Sequence, residues 1–321
     1  MTKPLFGRVA ILGVGLIGSS LAHAMRRGHV AGHVVAHDRD RKHLATARRI
    51  GFADSYTLSA ADAAKGADLV ILAVPVGAAG GVAKAIAPSL KPGAIVTDVG
   101  SVKGAIVADV GPHIPKSVHF VPAHPIAGTE RSGPDAGFAE LFDGRWCILT
   151  PAKSANRRAV ALVTKFWERL GSKVDVMDPK HHDLVLAVTS HVPHLIAYNI
   201  VGTADDLRSV TEREVIKYSA GGFRDFTRIA ASDPTMWRDV FLNNKEAVLE
   251  VLGRFSEDLS ALQRQIRWGD GEALFKLFTR TRAIRRGIVD AGQDSAAVNF
   301  GRNVAAAAPA RRTRSRAAKR R

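Results

Sequence analysis

The residues in this 321-residue chain whose types and spacing could do chemistry fall in a few short stretches. Residues 122–133, Pro-Ala-His-Pro-Ile-Ala-Gly-Thr-Glu-Arg-Ser-Gly, carry the imidazole of His124 and the charges of Glu130 and Arg131. A neutral imidazole, with an ordinary pKa of about 6.5, can take or give a proton near neutral pH. A second stretch, Gly13-Val-Gly-Leu-Ile-Gly18, is a phosphate-binding pattern. Gly13 permits a tight turn, Gly15 lets a pyrophosphate approach the backbone, and Gly18 lets a helix pack close. A third, Thr189-Ser-His-Val-Pro-His194, places His191 and His194 three apart on one helical face, beside Ser190. Two such histidines could also ligate a metal, but no third ligand stands at a convincing spacing, so no metal is expected. The plainer reading of either is a buried, satisfied core histidine.

These stretches need elements to hold them. Residues 8–12 form an apolar run before the glycines, and 19–27 read as a helix after them, with its free N–H groups and positive dipole end toward the phosphates. Residues 33–37 are the next strand, and Asp38 ends it, where a carboxylate would accept from a ribose 2′-hydroxyl. NAD is therefore expected over NADP, because Asp38 would repel a 2′-phosphate, although Arg39 and Arg41 could pair with one. Leu16 and Ile17, and Val74 and Pro75 at the end of the apolar run 69–74, are further expected cofactor contacts. Strands at 94–99, 118–121, 145–149 and 173–176, with helices at 78–90 and 156–170, continue the alternation. The fold class expected is α/β: a Rossmann-type, doubly wound, mostly parallel sheet. His124 would sit on an irregular loop at a strand end, since Pro125, Gly128 and Gly133 rule out a regular helix.

After Asp178-Pro179 the pattern turns helical. Residues 181–202 are mostly apolar, with a kink expected at Pro193. Residues 205–218 are an amphipathic candidate. Ser232-Asp233-Pro234 opens a helix that could run to about 268, and a last one covers 272–289. The expected domains are 1–178 for the dinucleotide and 179–292 for an all-α substrate and dimerisation domain, leaving 293–321 as a disordered basic tail.

Composition is that of an ordinary globular protein, 46% apolar and 24% charged. Eight Lys/Arg and no acid lie between Arg302 and Arg321, so half of the net +16 sits in that tail. No aromatic interleaves with those arginines, and nucleic acid is not expected as a partner. The body's remaining positive charge suits an anionic substrate or cofactor. The single cysteine, Cys147, excludes an intrachain disulfide and fits a reducing compartment. With no secretory leader and no run near the length of a membrane span, a cytoplasmic protein is expected.

Four clusters stand together: Asp98-Val-Gly-Ser-Val-Lys103, residues 124–133, Thr189-Ser-His-Val-Pro-His194, and residues 221–237, Gly-Gly-Phe-Arg-Asp-Phe-Thr-Arg-Ile-Ala-Ala-Ser-Asp-Pro-Thr-Met-Trp. With the glycine fingerprint, they make residues 7–290 resemble the prephenate/arogenate dehydrogenases of tyrosine biosynthesis. The resemblance implies NAD-dependent oxidative decarboxylation of prephenate to 4-hydroxyphenylpyruvate, or of arogenate to tyrosine. It implies His124 as general base on the ring hydroxyl, with Ser101 as its hydroxyl partner, and Arg228 as the substrate-carboxylate arginine. Ser190, His191, His194, Asp225 and Gly221 match positions facing the substrate, and Glu130 matches one at the mouth of the site. A homodimer through the helical domain is implied too.

Other readings stay open on the residues alone. Arg228 could instead pair with Asp225, three residues earlier. Another two-domain NAD(P) reductase, such as a β-hydroxyacid dehydrogenase or imine reductase, would use a lysine as acid/base, and Lys217 and Lys245 are available. A non-catalytic NAD-sensing or nucleic-acid-binding protein would use the tail.

Overall fold

Short apolar runs, each closed by a glycine or proline turn, become the strands of the first layer. The computed structural model describes residues 3–206, 218 and 220–290. Strands β1 (Phe6–Leu12), β2 (Ala31–His37), β3 (Ser55–Thr57), β4 (Leu69–Leu72), β5 (Ile95–Asp98) and β6 (His119–Phe120) form one parallel sheet in the order β3-β2-β1-β4-β5-β6. The order reverses at β1/β4, the switch point where such sheets open a ligand crevice. Side chains alternate by the strand period of two. Val9 and Ile11 pack on one face, over α1 (Leu16–Arg27) and α6 (Arg157–Arg169). Ala10 and Leu12 pack on the other, over α3 (Ala60–Ala64), α4 (Val76–Ile86) and α5 (Lys103–Val110). One more helix, α2 (Arg41–Ile50), follows β2 and was not anticipated from the sequence. Its strong basic charge hides a narrow apolar stripe of Leu44 and Ala47.

The pairing register aligns His37, Leu12, Leu72 and Asp98 across the C-terminal edge. Everything that follows those four residues therefore emerges at one edge of the sheet.

Two strands expected in that sheet, at 145–149 and 173–176, lie elsewhere, in a second sheet with a strand that was not expected. Pro122 has no N–H to extend the ladder beyond β6. The chain turns there, and β7 (Ala123–Pro125) pairs antiparallel with β8 (Trp146–Leu149), which pairs parallel with β9 (Lys173–Val176). His124 thus sits on a short strand opposite Ile148, not on an irregular loop. The irregular part begins after Pro125.

The helical region begins with α7 (Pro179–Leu186), capped by Asp178, whose carboxylate accepts from the N–H groups of Lys180 and His181. The expected break near Pro193 takes a particular form. A π-helical turn, Ala187–His191, precedes α8 (Val192–Asp206), and Pro193 sits in the first turn of the new helix, where its missing N–H is least costly. The stretch Pro179–Asp206 contains an 18-residue window of mean hydropathy 1.5 and is long and apolar enough to cross a membrane by composition, which sequence inspection had not anticipated. It also carries buried His182, Asp183 and His191, whose partners are described below. The helix at 205–218 and the tail at 293–321 fall almost wholly outside the described residues.

Next come α9 (Gly221–Thr227), a 3-10 turn over Arg228–Ala231, and α10 (Pro234–Asn243), capped by Asp233. The single helix expected from 232 to 268 is interrupted at Asn244, whose φ of −108° and ψ of 32° leave the helical region. Its buried side chain bonds elsewhere instead. Then follow α11 (Lys245–Trp268) and α12 (Gly271–Ile288). By compactness, Met1–Gly253 form one unit and the chain from Arg254 another.

Candidate active site

Two glycines of the fingerprint are there for shape. Gly13 has φ of +103°, and a Cβ on it would lie 2.3 Å from the Ala73 carbonyl oxygen. A Cβ on Gly18 would lie 1.9 Å from the carbonyl oxygen of Gly13. Gly15, the N-cap of α1, faces open space, with nothing within 4 Å of its missing Cβ. Leu16 and Ile17 form the first helical turn, which carries no acid to occupy its positive end. Val74 lies against Gly13, and Pro75 caps α4. Asp38 is drawn in at the same edge: its carboxylate accepts from the N–H groups of Val14 (3.1 Å) and Asp40 (2.8 Å). An open backbone approach, a helix N-terminus and an acid at the end of β2 are together a fit for a dinucleotide.

Beyond β5 the same edge builds a second structure. Asp183 on α7 accepts from both backbone N–H groups at the start of α5, Lys103 and Gly104, each at 2.7 Å. Gly104 is required, because a Cβ there would lie 2.8 Å from the Asp183 carboxylate. With both oxygens engaged by donors, Asp183 is ionised and also accepts from His182 Nδ1 at 2.8 Å. The proton of neutral His182 is thereby fixed on Nδ1, and its Nε2 can only accept. His124 Nδ1 lies 2.9 Å from that Nε2 and must donate. The remaining nitrogen of His124, Nε2, is left with a lone pair. An aspartate held by backbone thus sets the tautomers of two imidazoles in series.

The same residue, Lys103, fixes the backbone of this chain. Its ammonium is fully buried, ion-paired with Asp98, and donates to the Ala123 carbonyl at 2.7 Å. Asp98 accepts in turn from the Ala123 N–H at 3.1 Å. Both backbone polar groups of Ala123, the residue before His124, are thus tied to β5 and α5. Burial draws the Lys103 pKa down, and the Asp98 carboxylate opposes that.

His191 ends the π turn, and Asn244 selects its tautomer. The Asn244 amide nitrogen donates to the Asp183 carbonyl (2.9 Å) and lies 3.0 Å from His191 Nδ1. Nδ1 must therefore accept, and the His191 proton is on Nε2. His194 stacks on Trp237 at a centroid distance of 3.7 Å, and its Nδ1 bonds the Ser190 carbonyl at 2.8 Å. Trp237 also meets His191 edge-on at 6.1 Å.

Arg228 Nη1 lies 3.3 Å from Glu130, so the arginine pairs across to the loop after β7. Asp225 pairs with Arg224, at 3.2 Å, rather than with Arg228 as in the alternative reading. Gly221 opens α9 on the same segment. Ser101, expected beside His124, is half-buried in the loop between β5 and α5, and the described hydrogen bond of the His124 ring is the one it donates to His182. Arg131 is exposed on the loop. The structure therefore gathers His124, His191, His194, Arg228 and Glu130 and adds His182, Asp183, Lys103, Asn244 and Trp237. The run His181-His182-Asp183 was the available signal for the first two, but at the start of a helix it reads as ordinary first-turn polarity.

All four histidines of the cluster have pKa values below the ordinary one. For His124 the fall is large: burial comes first, then the fields of His182, Lys103 and His191. Burial dominates for His182, opposed by Asp183, and for His194, opposed by the Ser190 carbonyl. His191 is lowered to about 4. The cluster is neutral at neutral pH.

Comparison with known proteins identifies the family. Residues 21–176 match the prephenate dehydrogenase nucleotide-binding domain, and residues 178–280 match the prephenate dehydrogenase dimerization domain. The chain belongs to the prephenate dehydrogenase family. It is 42% identical to a cyclohexadienyl dehydrogenase of Zymomonas mobilis over 88% of this chain and 96% of that protein. It is 31% identical to a prephenate dehydrogenase of Bacillus subtilis, over 87% of this chain and 76% of that one. Among solved structures, prephenate dehydrogenase from A. aeolicus in complex with hydroxyphenyl propionate and NAD+ superposes with a TM-score of 0.81. That match is 38% identical and covers 88% of this chain and 98% of the other.

The lowered histidine pKa values have a consequence for stability. Below about pH 6.5 the unfolded chain binds protons that the folded cluster refuses, so stability falls as pH falls. The melting temperature is expected to decline from about pH 7 toward about pH 4, and a His191→Asn variant to show a shallower decline. A wild-type melting temperature flat across that range would contradict a neutral buried cluster.

Proposed function

We propose that this protein catalyses the NAD-dependent oxidative decarboxylation of prephenate to 4-hydroxyphenylpyruvate, of arogenate to tyrosine, or of both, in tyrosine biosynthesis. The observation that carries the reading is the chain Asp183–His182–His124, which leaves His124 a neutral base with its Nε2 lone pair free.

The substrate ring bears a hydroxyl and a hydrogen on one carbon and a carboxylate on the opposite carbon. Gly13, Gly15, Leu16, Ile17, Gly18, Asp38, Val74 and Pro75 would hold NAD at the sheet edge, where its nicotinamide would supply the acceptor for that hydrogen as hydride. His124 Nε2 takes the hydroxyl proton as the carbon–oxygen bond gains carbonyl character. Its Nδ1–H then bonds His182 more strongly, and the ionised Asp183 stabilises the positive charge passed along the pair. The bond to the ring carboxylate breaks, its electron pair enters the ring, and CO₂ leaves. Aromatisation drives that loss, so no base is needed for it. His124 returns its proton to the new phenolic oxygen. Ser101, in the loop before α5, is assigned to the substrate hydroxyl, and Arg228 to a substrate carboxylate. Ser190, His191 and His194 line the ring, while Glu130, Asp225 and Gly221 border the entrance.

The domains of the reading are 1–178 for NAD and 179–292 for substrate and dimerisation, with 293–321 as a basic tail. Asp38 favours NAD over NADP. The reductase reading based on Lys217 or Lys245 is not favoured, since the family match spans both halves of the chain. A cytoplasmic location belongs to the same reading. Beyond Gly253, Leu259, Ile266, Trp268, Phe275 and Phe278 are more than half exposed, an apolar surface suited to a second copy of the chain.

NADH formation from each substrate tests the activity. His124→Asn is expected to lower kcat about a thousandfold while leaving NAD affinity within about twofold; substantial residual turnover would refute the base assignment. Sedimentation should show a dimer that Phe275→Asp with Phe278→Asp converts to monomer. A wild-type chain that sediments as a monomer at micromolar concentration would remove the dimer from the account.

A further inference from the structure

Asn244 stands between two parts of the site. It is buried at the break between α10 and α11, yet its backbone still serves both helices. Its N–H donates to the Val240 carbonyl at 2.9 Å, and its carbonyl accepts from the Val248 N–H at 3.0 Å. Its side-chain amide donates one N–H to the Asp183 carbonyl on α7 (2.9 Å), and the other faces His191 Nδ1 (3.0 Å). The Asp183 carbonyl can only accept, so the amide atom between it and His191 is the nitrogen and not the oxygen. His191 Nδ1 then accepts, and the proton of the ring is on Nε2. His191 is 1% exposed, and no described residue accepts from that Nε2. A buried donor without an acceptor is costly, and in a native site it marks a place that a ligand or a water completes. The surroundings of His191 point to the ligand. Its charge is felt at His124, and its ring meets Trp237, on which His194 stacks. The unmet donor therefore lies among the residues gathered around the base.

We propose that Asn244 is a positioning residue for the oxidation: it holds the His191 proton on Nε2, from which the neutral imidazole donates to an acceptor oxygen of the substrate. This rests on the assignment of the cluster to prephenate or arogenate. The titratable groups that face His191 are Asp183 and His182 on α7, His194 on α8 and His124 on β7. Among them only Asp183 favours a cation on His191, and burial outweighs it, so the His191 pKa lies at about 4. At neutral pH the ring therefore has a single proton, and Asn244 decides which nitrogen carries it.

Asn244→Asp tests this. It keeps the shape but replaces the donor that faces His191 with a carboxylate, which demands an N–H from Nδ1. The one proton of the neutral ring then moves to Nδ1, and Nε2 loses its hydrogen. The new charge also raises the His191 pKa. Below that raised value the imidazolium carries both protons and Nε2 donates again; above it Nε2 is bare. The kcat/KM of Asn244→Asp is expected to fall as pH rises from about 6 to about 9, to about a tenth of wild type or less at the upper end, while wild type shows no His191 step in that range. Asn244→Ala removes the donor without adding an acceptor, and is expected to lose activity by a factor that does not change with pH. An Asn244→Asp profile parallel to that of wild type, or a fall with pH shared equally by Asn244→Ala, would overturn the proposal. The wild-type protein gives a second reading that needs no variant to fold. With ¹⁵N-histidine label and NADH in place of NAD, so that no turnover occurs, adding prephenate or arogenate is expected to shift the His191 Nε2–H resonance. A resonance that stays unmoved by a substrate the enzyme turns over with NAD would overturn the role of His191 and Asn244 alone. Failure of wild type to turn over either substrate would overturn the activity itself.

Discussion

The clamp of two backbone N–H groups on Asp183 is the interaction on which the rest of the site depends. The first residues of α5 leave their N–H groups without helical partners, as every helix does. Here those donors face a carboxylate from a different region of the chain, at 2.7 Å each. The positive end of the helix attracts a negative charge at that place. An ionised Asp183 permits one arrangement of protons on His182, and that arrangement permits one on His124. A backbone feature of one helix thus decides which nitrogen of an imidazole on β7 can act as a base.

Lys103 makes the arrangement rigid from the other side. Its backbone holds Asp183, and its side chain, with Asp98, holds the backbone of Ala123, the residue before His124. Breaking a buried ion pair by removing one partner costs about 3–5 kcal/mol, because the remaining charge is stranded. The pair is retained here where it fixes two ends of one relay. The histidines around it gain from the same dryness: burial keeps them neutral, and neutrality is what a base and a set of oriented donors require. Asn244 extends the principle to His191, whose proton it forces onto the opposite nitrogen from those of His124 and His182.

The glycine fingerprint, its strand and helix, and Asp38 could be read from spacing alone, because each residue type answers a local backbone or charge requirement. His124, His191, His194, Arg228 and Glu130 stood out as chemically capable residues in Gly- and Pro-broken stretches. Their partners did not. Lys103 and Asp98 lie close in sequence, but Asp183 comes about eighty residues later and Asn244 some sixty beyond that, and nothing in a one-dimensional pattern marks residues that meet only after two domains' worth of chain has folded. The second sheet was missed for a similar reason. Strands of β8 and β9 type read alike whichever sheet they join, and only the lost N–H of Pro122 indicates that the ladder must end. The break at Asn244 was hidden because asparagine is tolerated in helices and its side-chain partners are remote.

The central claim is that His124 presents an unprotonated Nε2 because Asp183 fixes the protons of both imidazoles. Long-range proton–nitrogen correlation spectra of protein labelled with ¹⁵N-histidine report the tautomer of each neutral imidazole directly. At neutral pH His124 and His182 are expected as Nδ1–H tautomers with bare Nε2, and His191 as the Nε2–H tautomer. A His124 resonance pair showing the proton on Nε2, or a doubly protonated His124 at that pH, would contradict the account.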